Sequence, residues 1–304
     1  MKLSIIIPVY GVEAYIEEFL NELIPQLIED VELIFINDGT KDKSIDIVKC
    51  YKDKLATNLC NNLLIFHQEN QGQSIARNFG INKAQGEYIG FLDPDDYVQK
   101  DYIETVLKML KNNPDILNFG ARAFLDRSNI FVREIYTTLT EGLYKATQEN
   151  LIEIYSECAW MPWLRIIKRE VIIYEFFPEK LLLEDVYLFT MLYLKVDTIY
   201  HCNKILVNYR IREGSSIGQK SSYFFNSYCN VIKYLVEKRE VNPLLIDMTL
   251  NQLSKNLFQE SINSRGFKFA ISFYQLYPKS MEFLNFILYR SLVYFFKKIM
   301  GVKI

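Results

Sequence analysis

Three carboxylates fall within four positions in the segment Phe91-Leu92-Asp93-Pro94-Asp95-Asp96-Tyr97. Acids this close repel one another unless a cation sits among them. Hard divalent ions want such oxygens, and an Mg²⁺-type ion keeps few protein ligands and shares the rest with substrate phosphates. Pro94 fixes the turn that aims the flanking acids. The same residues also suit a solvated acidic turn before a helix starting near Asp101, because Asp is a good N-cap. The chain has only two histidines, His67 and His201, and five scattered cysteines with no Cys-x-x-Cys pair. A metal here therefore leans on carboxylates, which favours Mg²⁺ or Mn²⁺ over zinc. His201 reads as a strand or core residue more readily than as a ligand.

Other clusters offer complementary chemistry. In Pro8-Val9-Tyr10-Gly11-Val12-Glu13, Tyr10 offers a flat face on which a nucleobase can stack, and Gly11 permits a sharp turn. In Asn37-Asp38-Gly39-Thr40, the Asp38 carboxylate can accept a hydrogen bond from an imide N–H. Both also read as ordinary turns. Asn70-Gln71-Gly72 precedes a polar helix start, where backbone N–H groups and Arg77 one turn in can receive an anion; Arg77 suits an internal carboxylate equally well. Glu184-Asp185 supplies either a general base or acids that complement a helix N-terminus.

The elements that must position these groups alternate. Leu3–Val9 and Val31–Ile36 are apolar runs suited to strands buried on both faces. Between them Val12, Tyr15, Ile16, Phe19, Leu20, Leu23 and Leu27 recur at helical spacing. A second helix through Ile45, Val48, Tyr51 and Leu55, a strand at Leu63–Phe66, a helix at Gly72–Ala84 and a strand at Tyr88–Leu92 follow. This order means parallel pairing through right-handed crossovers, with ligands expected at the carboxyl edge. Further on, Ile116–Leu125 and Ile130–Tyr136 suit a hairpin. Helical patterns occupy 147–157, 160–172 and 184–195, an extended stretch 198–212, and helix again from about 220.

The order and spacing of these clusters resemble family 2 glycosyltransferases of the GT-A fold, over roughly residues 1–215. That resemblance implies an α/β fold with a mixed, mainly parallel sheet flanked by helices and a helical C-terminal extension. It implies a catalytic domain at 1–219, with a donor-binding half of about 1–100 and an acceptor half of about 101–219, and a helical region at 220–304. It implies a metal at Asp95, the donor ribose at Asp93, the uracil at Asp38, base-flanking residues Pro8, Tyr10 and Glu13, and Arg77 close to the donor. Asp185 becomes the general base of an inverting transfer. Arg210 or Arg212, in Asn208-Tyr209-Arg210-Ile211-Arg212-Glu213-Gly214-Ser215-Ser216-Ile217, neutralises the leaving diphosphate. Trp160 or Trp163 stacks on an acceptor sugar or packs in the core. Two departures are Gly11, where Asn is usual, and Asn37, which replaces the first of two acids.

The expected reaction moves one sugar from a UDP-sugar to a hydroxyl of a glycan acceptor, lipid-linked, in surface-polysaccharide synthesis, with Mn²⁺ or Mg²⁺. The alternatives are a nucleotidyltransferase, which would carry a Gly-rich, Lys/Arg-bearing loop after the first strand, and a non-catalytic sugar-nucleotide or glycan-binding module, which would lose Glu184-Asp185. No Gly-x-Gly-x-x-Gly follows the first strand, against a dehydrogenase.

Composition fits this reading. With 50% hydrophobic and 24% charged residues the chain is globular. Residues 265–304 hold seven Lys/Arg and one acid, net +6, leaving −8 for the remainder. An acidic body does not suggest a nucleic-acid protein. The scattered cysteines and the absence of a signal peptide at Met1-Lys2-Leu3-Ser4 point to the cytoplasm. Residues 281–304, aromatic with a basic end, suit either peripheral contact with the inner face of a membrane or packing on the catalytic domain or in a homodimer.

Overall fold

Burial on both faces explains the apolar N-terminal run, which forms β1 (Leu3–Val9) at the heart of the sheet. In the computed structural model, residues 1–265 are described, apart from Arg127, Asn129, 137–138 and 213–221. The chain divides into two units, residues 1–218 and 219–304.

In the first unit β1 lies between β2 (Val31–Asp38) and β4 (Tyr88–Phe91), parallel to both, and β3 (Leu63–Gln68) pairs parallel to β2. The remaining strands are β5 (Tyr97–Val98), β6 (Ile116–Leu125), β7 (Phe131–Ile135), β8 (Gly142–Lys145), β9 (Arg165–Lys168) and β10 (Thr198–Ile211). The sheet order is β3-β2-β1-β4-β9-β6-β10-β5, with β7 paired to β6 and β8 to β10. β9 is antiparallel to both β4 and β6, and β10 is parallel to β6. Two reversals restore the original direction. The carboxyl ends of β1, β2, β4, β6 and β10 therefore share one edge, where ligands bind in such sheets.

The helices are α1 (Ile16–Leu23), α2 (Ser44–Asp53), α3 (Thr57–Cys60), α4 (Gln73–Lys83), α5 (Tyr102–Leu110), α6 (Gln148–Glu157), α7 (Arg169–Ile172) and α8 (Glu184–Leu192). α1 buries Ile16, Phe19, Leu20 and Leu23, then tightens to a 3₁₀ turn at Pro25, which cannot continue an α-helical ladder. The stretch expected to be helical over 160–172 departs from expectation. It contains a 3₁₀ turn at Pro162–Leu164, then strand β9, then the short α7. A four-residue segment placed between two strands gains ladder hydrogen bonds on both sides, and this tertiary pairing overrides local helical spacing. β2 also runs on to Asp38, so this residue ends a strand instead of opening a turn.

The second unit holds α9 (Ser222–Glu237) and α10 (Pro243–Arg265), which pack on one another. On α9 the buried residues Phe224, Phe225, Tyr228, Val231, Ile232 and Leu235 follow helical spacing. No helix among the described residues is long and apolar enough to cross a membrane. Residues 281–304 lie outside the described residues.

α4 approaches β1 closely enough that position 80 must lack a side chain. A Cβ on Gly80 would lie 2.3 Å from Cγ2 of Ile6, which is fully buried. Gly80→Ala should therefore cost about 1–3 kcal/mol in chemical denaturation. Ile6→Ala combined with it should cost less than the sum of the single changes, because the clash is shared; strict additivity would refute the contact.

Candidate active site

The loops leaving β1 and β2 are laced together. Gly11 N donates to Thr40 Oγ1 at 2.9 Å, Glu13 N to Asp42 Oδ2 at 3.0 Å, and Lys43 N to Glu13 Oε2 at 3.0 Å. Asp42 is slightly desolvated, but hydrogen bonds from Ser44, Thr40 and backbone N–H groups outweigh this and hold its carboxyl below its ordinary value. Gly11 has φ +66, a left-handed conformation that Asn also tolerates, which accounts for the exchange of these two residue types there. Tyr10 stands 54% exposed at the tip of β1, above half-buried Pro8.

Asp38 is buried and committed on both oxygens. Oδ1 accepts from Gln68 Nε2 and Gln71 N, each at 2.8 Å, and Oδ2 accepts from Gly72 N at 2.9 Å. These bonds hold the glycine turn, φ +90 at Gly72, that opens α4. The carboxylate thus fixes the entry of the helix that carries Gln73 and Arg77.

Arg77 is the centre of the site. Its side chain is buried, Nη2 lies 3.0 Å from Asp93 Oδ1, and Nη1 lies 2.7 Å from Glu184 Oε1. Burial alone would lower its pKa, yet the charges of Asp93 and Glu184 outweigh it and hold the guanidinium ionised. Gln73 Nε2 donates to the same Glu184 oxygen at 2.6 Å. Gln73 and Arg77 are four residues apart, hence neighbours on one helix face, a spacing that is itself legible in the sequence.

The acidic turn is asymmetric. Asp96 is buried and accepts from Arg210 N at 2.7 Å, tying the turn to the end of β10. Burial, then the charges of Asp95 and Asp93, push its carboxyl well above the usual range. Asp95 is only partly exposed and accepts from Arg212 Nε at 2.8 Å; burial and then Asp93 raise its pKa, with Arg212 opposing. The two arginines differ. Arg210 donates to the Asp95 carbonyl, to Asp126 and to Glu18, so its guanidinium is turned inward. Glu18 and Asp126 were not singled out in the sequence, and nothing in their local spacing marks them. Residues Glu213–Ile217 of the arginine-bearing loop lie outside the described residues.

Glu184 and Asp185 open α8 behind Leu183, which has a left-handed φ of 66. A branched residue in that region is strained, so the surroundings dictate the entry angle. Glu184 is buried, and burial followed by the charge of Asp185 pushes its carboxyl up to about 7 despite Arg77. Asp185 Oδ1 accepts from Val186 N at 2.8 Å; burial raises its pKa, opposed by that N–H and by the charges of Arg77 and Arg165. The loop before α8 is clamped to α4: Asn78 Nδ2 donates to the Phe177 carbonyl and Phe177 N to Asn78 Oδ1, each at 2.9 Å. Trp160 and Trp163 are both core residues, the latter stacked on Tyr209 with ring centroids 5.2 Å apart. His201 is likewise buried, on β10.

The donor set fits a hard divalent ion. Asp93 and Asp95 burden one another electrostatically, and a cation beside them would relieve that repulsion. Among the described residues no group of three His, Cys, Asp or Glu side chains forms a closed metal cage. An ion held by one or two carboxylates and by substrate phosphates needs none.

The acidic turn, Arg77 and Glu184 gather at the sheet edge where ligands bind in such folds. The chain belongs to glycosyl transferase family 2, whose model matches residues 4–172. It is 31% identical over 224 residues to the glycosyltransferase GlyA of Streptococcus pneumoniae, covering 70% of this chain and 31% of GlyA. It is 42% identical over 119 residues to the minor teichoic acid biosynthesis protein GgaB of Bacillus subtilis, covering 38% of this chain and 13% of GgaB. The chain spans less than two thirds of the length of the curated relatives it matches. Among solved structures, Staphylococcus aureus TarS 1-349 in complex with UDP-GlcNAc has a TM-score of 0.66 at 20% identity, covering 86% of this chain and 81% of that one. The likeness is one of fold, GT-A, with a helical C-terminal region following it.

Arg77→Met should destabilise the protein by about 3–5 kcal/mol near pH 8, because buried Glu184 loses its cation. The sign with pH follows from linkage. A carboxyl whose folded pKa is raised favours the folded state at low pH and loses that contribution as pH rises through the folded value. Removing Arg77 raises it further, so the gap in thermal midpoint between variant and wild type should be wider at pH 8 than at pH 5. An equal gap at both would refute the pair's electrostatic role.

Proposed function

We propose that the protein transfers a single sugar from a UDP-sugar to a hydroxyl of a glycan acceptor, with inversion and with Mn²⁺ or Mg²⁺ as cofactor. The observation that carries this reading is the Asp93–Arg77–Glu184 bridge, which joins the acidic turn at the sheet edge to the helix carrying Asp185. In this reading Asp95 holds the metal and Asp93 faces the donor ribose. The metal, when bound, supplies charge neutralisation of the departing diphosphate. Tyr10 is exposed where a uracil ring would stack, and Arg212, partly exposed beside Asp95, is the arginine suited to the diphosphate. Asp38 would then act on the base through the loop it holds. Asp185 accepts the proton of the acceptor hydroxyl as that oxygen attacks the anomeric carbon from the face opposite the leaving group.

TarS carries UDP-GlcNAc on the same fold, which supports a uridine donor. The kinship with GgaB supports an acceptor belonging to a cell-surface polymer. In the proposed reading that acceptor is lipid-linked on the cytoplasmic side, and the basic, aromatic sequence of residues 281–304 suits membrane contact or a homodimer contact.

A panel of UDP-sugars with Mn²⁺, scored for donor hydrolysis, tests the donor class. Asp185→Asn should lower kcat by roughly 10²–10⁴-fold with donor KM little changed, as expected for loss of a general base. Asp95→Ala should raise the metal concentration required and depress activity; near-normal transfer by either variant would sink the assignment. Proton NMR of the product should show the anomeric configuration inverted relative to the donor, and retention would reject the single displacement.

A further inference from the structure

One buried charge has no place in the scheme so far. Arg165, on β9, is 3% exposed. Its Nη2 donates to the Ala159 carbonyl, while Nε and Nη1 have no hydrogen-bond partner. Among the described residues it forms no ion pair. A buried cation costs several kcal/mol unless an opposite charge compensates it. Arg165 borders a small cavity whose other lining side chains are uncharged, among them Asn118, Phe119 and Tyr193. Its guanidinium carbon lies 4.3 Å from the ring centroid of Phe189 on α8 and 5.5 Å from that of Tyr193, just beyond that helix.

Phe189 is one turn beyond Asp185 on that helix, and residues four apart share a face. Helical side chains lean toward the N-terminus, so a group packed on Phe189 lies along the face of α8 that carries Asp185. The charged groups facing Asp185 are Glu184 on its own helix, Arg77 from α4 and Arg165 from β9. Arg77 spends its hydrogen bonds on Asp93 and Glu184. Arg165 is the cation not committed to another carboxylate.

We propose that Arg165 is a positioning residue for Asp185, its buried guanidinium holding that side chain as a carboxylate ready to receive a proton. The inference rests on the reading of Asp185 as the base. The electrostatics run the same way in both directions. Burial lowers the pKa of Arg165, while Tyr193 and Asp185 oppose that; burial raises the pKa of Asp185, and Arg165 is among the groups that oppose it. Position 165 thus acts across the helix face on the base, without touching substrate.

The test is carbon-13 NMR of protein labelled at the aspartate side-chain carboxyl, with Asp185→Asn used to identify the Asp185 signal. In Arg165→Gln the titration midpoint of Asp185 should rise by about one unit, the size of a single lost charge partner. Arg165→Met, which keeps the apolar stem, should give the same rise and serves where the glutamine variant does not fold. Arg165→Lys, which keeps the charge, should stay near wild type. An unchanged midpoint in the charge-removing variants overturns the proposal, as does a lysine variant that shifts as far as they do. The readout is independent of turnover. Should Asp185→Asn retain sugar transfer, the base assignment fails, and the midpoint still reports whether Arg165 acts on Asp185.

Discussion

The buried guanidinium of Arg77 is the constraint on which the rest of the site depends. It receives one carboxylate from the turn after β4 and another from the first residue of α8, segments far apart in the chain. A buried cation in this position depends on the two acids, and Glu184, itself buried, depends in turn on the cation and on the Gln73 amide. The strand end and the helix start are therefore held in one arrangement by charge as much as by packing. Asp38 and the glycine turn act one level below, setting where α4 begins and hence where Arg77 lies.

The same logic separates the two arginines that end β10. The Arg210 guanidinium is satisfied by two acids, Asp126 and Glu18, and by the Asp95 carbonyl, with the rings of Tyr15, Tyr97 and Phe124 around it. Its guanidinium serves the scaffold. Among the described residues Arg212 pairs with Asp95 at a partly exposed position and lies over the Tyr15 ring, and in the proposed reading it is the arginine suited to a phosphate. Asp95 and Asp96, adjacent in sequence, divide similarly: one is partly exposed and pairs with Arg212, and the other is sealed beneath a backbone N–H.

The parallel half of the sheet was legible because burial on both faces leaves a plain mark, as in Leu3–Val9 and Val31–Ile36, and because the turn residues cluster at strand ends. The hairpin of β6 and β7 was readable for similar reasons. β9 was not, since four residues carry little periodicity and their extended form is imposed by the neighbours β4 and β6. In the site, residue types that bear chemistry were visible as clusters, and Arg77, Asp93 and Glu184 meet in space. Which oxygen faces which nitrogen was not visible. Glu18, Asp126 and Arg165 owe their significance to partners distant in sequence, and a local pattern holds no trace of that. Tyr10 and Asp38 differ in the same way, one exposed and one fully hydrogen-bonded, although both follow a strand-end pattern.

The antiparallel insertion of β9 has a consequence for how the protein is made. A ribosome releases β1 to β4 long before Arg165–Lys168, so β4 emerges with one edge unpaired, and exposed strand edges invite wrong partners. Arg77 and Asp93 also leave the exit tunnel without Glu184, so their local charge balance is incomplete at that stage. The missing strand and the missing acid arrive within the span 165–184. The nascent chain thus covers the open edge of β4 and completes the Arg77 ion pairs only once residues 165–184 have emerged, with β10 joining the sheet later still. A pause in synthesis before that span would leave the β4 edge exposed for longer.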